Sequence, residues 1–217
     1  MNRLAQMAMI APEGAKIAFG ILAIGIIMAA LGAHCLGVLI IGLSCVVGSF
    51  FRDPERQPER IEGVVISGAD GKVVDVSECS MPDDRETVYH RVSVFMSPLD
   101  VHVNRAPVSG ETVFVRHTSG DFRAAYRDEA SEHNERTLMV VRDDAGRRHG
   151  MMQVAGYLAR RIVCRIHARD RIFIGQRVGL IMFGSRVDHF IPPDYRVIVA
   201  VGQRVRAGET AIGELRS

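Results

Sequence analysis

The stretch GLIMFGSRVDHF, residues 179–190, is apolar from Leu180 to Phe183 and breaks at Gly184-Ser185. Arg186 and Asp188 follow at once. A short apolar run closed by Gly-Ser reads as a buried strand ended by a turn. The same texture extends to both sides. Toward the C-terminus comes YRVIVAV (195–201). Toward the N-terminus come RRIVCRI (160–166), TLMVV (137–141), ETVFV (111–115), RVSVFM (91–96), GKVVDV (71–76) and GVVIS (63–67). Runs rich in Val and Ile, separated by Gly, Pro and Asp clusters, are the pattern of many short strands. No helical period persists past residue 60. Residues 61–217 are therefore expected to be mainly β, folded as a compact barrel or sandwich-hybrid-like domain.

Two pieces of this region look related. ISGADGKVVDV (66–76) and VAVGQRVRAGETAIGEL (199–215) both place strands around Gly turns. The second resembles the hairpin of biotinyl and lipoyl carrier domains, which need a lysine at the hairpin tip. The only lysines are Lys16 and Lys72, so a swinging-arm carrier is disfavoured.

The N-terminal quarter differs. Residues 17–51 contain no Asp, Glu, Lys or Arg. They read as two apolar helices, about 17–31 and 36–51, with a break near Gly32 to His34. Each is a little short for a spanning helix, which needs roughly 20 residues. Arg3 and Lys16 precede the run, and Arg52, Arg56 and Arg60 follow it. Positive flanks at both ends favour a hairpin with both ends on the cytoplasmic side. Residues 1–51 are thus expected to attach the chain to the cell membrane, spanning it or lying in one leaflet, with the β-rich domain on the cytoplasmic side. A helical hairpin inside a soluble core is the competing reading. A cleaved signal peptide fits poorly, because Glu13 lies in the leader and the apolar stretch continues past any cleavage site. A lipoprotein signal fits worse, with His34 standing where a small residue should precede Cys35. FRDPERQPER (51–60) is charged and Pro-rich, and residues 52–60 read as a linker.

Composition narrows the function. The formal net charge is +2, so no nucleic acid or other polyelectrolyte partner is implied. The four cysteines, Cys35, Cys45, Cys79 and Cys164, form no C-x-x-C pair, which argues against a zinc site or a disulfide framework. Phosphate-loop, dinucleotide and H-E-x-x-H motifs do not occur, nor does the hydrolase elbow G-x-S-x-G. Three polar clusters remain within apolar strands: Asp70 in GADGK, Asp100 and His102 in FMSPLDVHVNRAP, and Ser185 in FGSRVD. Singly, each reads as an ordinary turn or surface residue.

Together they resemble the short-form pyruvoyl-dependent phosphatidylserine decarboxylase proenzymes. The resemblance runs from APEG (11–14) through the apolar hairpin, FFRDPER (50–56), ADGKV (69–73) and SPLDVHVNRAPVSG (97–110). It continues through NER (134–136), QVAGYLARRIVC (153–164) and FGSRVD (183–188) to GQRVRAGET (202–210). It implies that Gly184 and Ser185 form a self-cleavage site, giving a β chain of residues 1–184 and an α chain of residues 185–217 that stay associated. The Ser185 hydroxyl would attack the Gly184 carbonyl and convert the peptide to an ester. Elimination and hydrolysis would then leave a pyruvoyl group at residue 185, with no metal required. Glycine at 184 suits this step, since it lacks a Cβ and lets a nucleophile reach its carbonyl. His102 is expected to move the proton and Asp70 to orient the imidazole. His102 is also expected to reprotonate the carbon after carbon dioxide leaves, giving phosphatidylethanolamine from phosphatidylserine or a related serine phospholipid. A homo-oligomer is compatible with all of this.

The chain departs from the longer members in two places. Their D-Y-H-x-x-H pattern has a second histidine where this chain has Arg105, and their L-G-S-T site is F-G-S-R here. His102 would then serve both steps, or His189 or His133 would help. Arg105, Arg136 and Arg186 are expected to contact the headgroup, because arginine suits phosphate and carboxylate; Arg186 could equally pair with Asp188. Two other readings stay open: a serine hydrolase using Ser185, His102 and Asp70, and a membrane-anchored β adaptor without catalysis.

Overall fold

Two stretches of the sequence build independent units, and a computed structural model describes them over residues 10–58, 62–121, 133–156, 162–182 and 185–216. The units are Met1–Glu55 and Arg56–Ser217. The first contains helices α1 (Pro12–Ala30) and α2 (His34–Phe50). Helix α1 starts five residues earlier than expected. Pro12 sits in the first turn, where its missing N–H costs nothing, and Glu13 complements the dipole there. It ends at Gly32, whose φ of 90° is open to glycine. The N–H groups of Gly32 and Ala33 return to the carbonyls of Ala29 and Met28, closing the last turn.

The helices meet through small residues. A Cβ on Gly25 would stand 2.8 Å from Ile41 Cγ1, and one on Gly37 would stand 2.7 Å from Ala29 Cβ. Ser44 Oγ donates to the Ala18 carbonyl at 2.8 Å. With the contact made by Gly, Ala and Ser, the large side chains turn outward. Phe19, Leu31, Val38, Leu39 and Val46 are all exposed. That outward-facing apolar surface is compatible with membrane association.

The second unit is mainly β. Its strands are β1 (Val64–Ile66), β2 (Gly71–Met81), β3 (Asp84–Met96), β4 (Val103–Arg105), β5 (Gly110–Thr118), β6 (Arg136–Arg142) and β7 (Arg148–Val154). They continue with β8 (Ile162–Cys164), β9 (Arg171–Ile172), β10 (Arg177–Ile181), β11 (Ser185–Ile191), β12 (Tyr195–Val197), β13 (Arg204–Val205) and β14 (Ala211–Leu215). Eight form a curled half-barrel in the order β13-β2-β3-β11-β7-β6-β5-β9. Two three-stranded sheets, β1-β14-β12 and β4-β10-β8, complete the unit. The two look-alike glycine-turn pieces pair with each other, β1 on β14 and β2 on β13.

Strand β11 is central. It pairs with β3 on one side and β7 on the other, and every one of its residues is buried. Its side chains alternate between two apolar clusters. Val187 and Ile191 join the larger one with Val94, Met96, Met139 and Met151. Phe190 joins the smaller one with Leu138, Val140, Met152 and Val154. Ser185 and His189 therefore share the face of the larger core, and Arg186 and Asp188 share the opposite face.

Candidate active site

Ser185 is the first residue of β11. It lies across from Met96 of β3, is fully buried, and its Oγ has no hydrogen-bond partner among the described residues. An idle buried hydroxyl is costly in a strand that serves packing alone. Gly184 lies outside the described residues.

His102 reaches the same end of the domain through β10. Its carbonyl accepts from Ile181 N–H at 3.3 Å, and Ile181 is the last residue of β10, four positions before Ser185 in the chain. The imidazole is 2 % exposed, and Nδ1 lies 2.9 Å from the Asp100 carbonyl oxygen. A carbonyl only accepts, so Nδ1 carries the proton and Nε2 the lone pair, the tautomer a general base needs. Asp100 is itself held by the N–H and hydroxyl of Ser97, at 2.8 and 2.7 Å, and by Arg204.

Among the described residues Asp70 is bonded to groups other than this imidazole. Its carboxylate takes both guanidinium nitrogens of Arg56, Nη2 at 2.9 Å, and the Ala207 N–H at 2.8 Å. Arg56 also donates to the Ala207 carbonyl at 2.9 Å. A bidentate arginine matches a carboxylate better than one imidazole can, and it wins the site. The second unit thus begins inside the expected linker, because Arg56 is clamped to its core.

The three arginines expected at the headgroup are otherwise engaged. Arg186 is fully buried and pairs with Asp188, Nε to Oδ1 at 2.8 Å, on the face away from the Ser185 hydroxyl. Arg136 shares a row with Val154 and Arg186, hence the same remote face, and donates to the Asn134 carbonyl at 3.2 Å. Arg105 is buried, donates to the Gly175 carbonyl at 3.0 Å, and lies against Gly208, where a Cβ would be 2.6 Å from its Cδ. It links two turns in the place of the second histidine.

His189 cannot help as a base. Nδ1 donates to the Val92 carbonyl at 3.1 Å, and Nε2 accepts from Gly68 N–H at 2.8 Å. Burial lowers its pKa to about 4. It holds the loop before Asp70 against β11. His133 is exposed. Among the described residues, no three His, Cys, Asp or Glu side chains gather to hold a metal.

Sequence reasoning missed the clamp of Arg56 on Asp70 and the buried amide pair of Asn104 and Gln153, joined at 2.8 Å. Asn104 carried one signal: it stands two residues after His102, on the same side of an extended segment.

The family model described as phosphatidylserine decarboxylase matches residues 43–213, which include every residue of this site. The chain belongs to the phosphatidylserine decarboxylase family. Relatives named phosphatidylserine decarboxylase proenzyme agree along most of its length. The one from Symbiobacterium thermophilum is 44% identical over 202 residues, covering 93% of this chain and 91% of its own. That from Mycolicibacterium smegmatis is 46% identical over 170 residues, covering 77% and 73%. That from Chlorobium chlorochromatii is 45% identical over 164 residues, covering 76% of each. Membership in a decarboxylase family disfavours both the hydrolase and the adaptor readings.

Proposed function

We propose that this chain is a self-processing phosphatidylserine decarboxylase precursor, attached to the membrane by α1 and α2 and cleaved before Ser185. The observation that carries the proposal is the buried Ser185 hydroxyl, without a partner among the described residues, at the head of a strand led into by the His102-bound β10. Ser185 is the nucleophile. His102, held by the Asp100 carbonyl, takes its proton at Nε2. Asp70 acts at one remove, fixing the loop between residues 67 and 71 through Arg56 and Ala207. A pyruvoyl group at residue 185 would supply the electron sink for loss of carbon dioxide. Ser185 fits that origin, because its carbon skeleton becomes the group and no separate binding pocket is required. In turnover, the protonated His102 returns a proton on the larger-core face, where the buried setting limits access of water.

The substrate is a serine phospholipid, and α1 and α2 bring the domain to it. The basic residues on both sides of the hairpin, Lys16 before it and Arg52 after it, support a cytoplasmic side for the following domain; Arg56 is spent on Asp70 instead. The test is denaturing mass spectrometry of purified protein together with carbon dioxide release from a carboxyl-labelled serine phospholipid. The expected result is two chains meeting at residues 184 and 185, with a blocked N-terminus on the smaller, and no cleavage in Ser185→Ala. A full-length active chain with a free Ser185 would overturn the proposal.

A further inference from the structure

Between the strand that follows His102 and the strands that flank Ser185 lies a buried polar network with no part in the steps above. Asn104, on β4, is fully buried. Its Oδ1 accepts from Gln153 Nε2 at 2.8 Å. That bond fixes which end of the amide faces β7 and directs the NH2 group away from it. The NH2 contacts are weak: Gly68 O at 3.3 Å and Met96 Sδ at 3.6 Å. The first is long for its type, and a thioether is a poor acceptor. The Gly68 carbonyl already takes the Arg105 N–H at 2.9 Å.

The position matters as much as the weak contacts. Met96 stands directly across from Ser185, and directly paired side chains on one face have Cβ atoms roughly 4.5–5.5 Å apart. Asn104 Nδ2 touches Met96, so its N–H groups lie one side chain away from the reacting hydroxyl. Gln153 pairs with Val187, two residues along the same face. Through Gly68 and His189 the network returns to β11 itself. It joins the segments that carry Ser185, Asp70 and His102.

We infer that Asn104 donates a hydrogen bond to the oxyanion formed when Ser185 attacks the preceding carbonyl. This rests on the self-cleavage reading. In the step, a bond forms between Oγ and the carbonyl carbon, the π pair moves to oxygen, and the hydroxyl proton passes to His102. The carbon–nitrogen bond then breaks, and that proton passes to the departing amine. Peptide becomes ester with no atom gained or lost. The intermediate anion needs a donor that is already oriented and not already well bonded. Gln153 supplies the orientation, and the long contacts to Gly68 and Met96 leave the donor little to give up.

The test follows cleavage half-time on denaturing gels, with and without hydroxylamine, which splits an ester but not a peptide. The double variant Asn104→Leu/Gln153→Leu removes both partners of the buried hydrogen bond, the change that disturbs folding least. Its fold is checked by thermal melting in a Ser185→Ala background. The expected result is cleavage slowed by roughly 10²–10³, with no acceleration by hydroxylamine, because the ester never forms. Asn104→Asp, which keeps an acceptor for Gln153 and loses the donor, is the second variant and decides the matter if the first does not melt cooperatively. Cleavage within threefold of wild type in a folded variant would overturn the assignment. So would slow cleavage that hydroxylamine rescues, since that places the fault after the ester. A wild-type chain that stays whole overturns the processing reading and Asn104 with it, so the two failures are distinguishable.

Discussion

Asp70 is held by three donors, from Arg56 and Ala207, and the imidazole of His102 is not one of them. The consequence is measurable. Removing Arg56 leaves a buried carboxylate without its cation, which typically costs about 3–5 kcal/mol. Arg56→Leu should therefore lower the urea midpoint strongly in a Ser185→Ala background, and Arg56→Leu/Asp70→Leu should recover much of it. If the double variant then cleaves well in the Ser185 form, Asp70 serves stability alone. His102→Ala should slow cleavage by roughly 10²–10⁴ with little change in melting temperature; normal cleavage would remove it from the site. His189 gives a pH signature. Its pKa is lowered from the ordinary 6.5 to about 4 by burial. Above pH 6.5 the histidine is neutral whether folded or unfolded, and stability is at its full value. Below 6.5 the unfolded chain takes up the proton first, so stability falls until about pH 4. The interval corresponds to about 3 kcal/mol. His149, whose pKa burial also lowers, acts in the same direction. The His189 share is therefore the difference between the Ser185→Ala protein and its His189→Gln derivative, measured by denaturant unfolding at pH 7 and pH 4.5. Equal pH dependence in the two would show that His189 is not the group responsible.

At the scale of elements, the two helices and β11 make opposite use of apolar residues. In β11 they point inward to two cores, and in the hairpin they point outward. Helix α1 has 19 residues, a length of about 28 Å, close to the roughly 30 Å of a hydrocarbon core. Helix α2, with 17 residues, is shorter. Each exposed apolar side chain moved into lipid contributes roughly 1.5–3 kcal/mol. The full-length chain should therefore sediment with membranes and resist high salt, and deletion of residues 1–51 should release a soluble domain that still melts cooperatively. Recovery of the full-length chain in the soluble fraction without detergent would refute membrane attachment. Gly37→Leu should separate the helices, because Ala29 and Gly25 stand within 3 Å of the new Cβ. Protease sensitivity of the hairpin in lipid vesicles would report it.

At the scale of the whole molecule, residues 185–216 are woven through the fold. Strand β11 lies between β3 and β7, β14 lies between β1 and β12, and β13 edges the large sheet on β2. A chain cut before Ser185 has no separable piece, because its C-terminal part supplies inner strands to two sheets. The two products should co-migrate in size-exclusion chromatography under native conditions and separate only in denaturant. Separation under native conditions would contradict this interleaving.

The sequence by itself determined the fold class, the apolar helical hairpin and the family pattern that singles out Ser185 and His102 as candidate site residues. Those rest on local properties: alternation and turn residues for strands, an uncharged run for the hairpin, and a family pattern read in order along the chain. Only the tertiary structure decided who partners whom. Asp70 was legible as a turn aspartate, but its capture by Arg56 depends on segments 14 residues apart meeting beside Ala207. Arg136 and Arg186 looked like headgroup contacts until strand pairing put them on the face away from Ser185. Asn104 gained meaning only when Gln153 of β7 and Met96 of β3 closed around its amide. Side-chain chemistry is written in each residue, whereas the direction in which that chemistry points is set by strand register, and register is a property of contacts between distant parts of the chain.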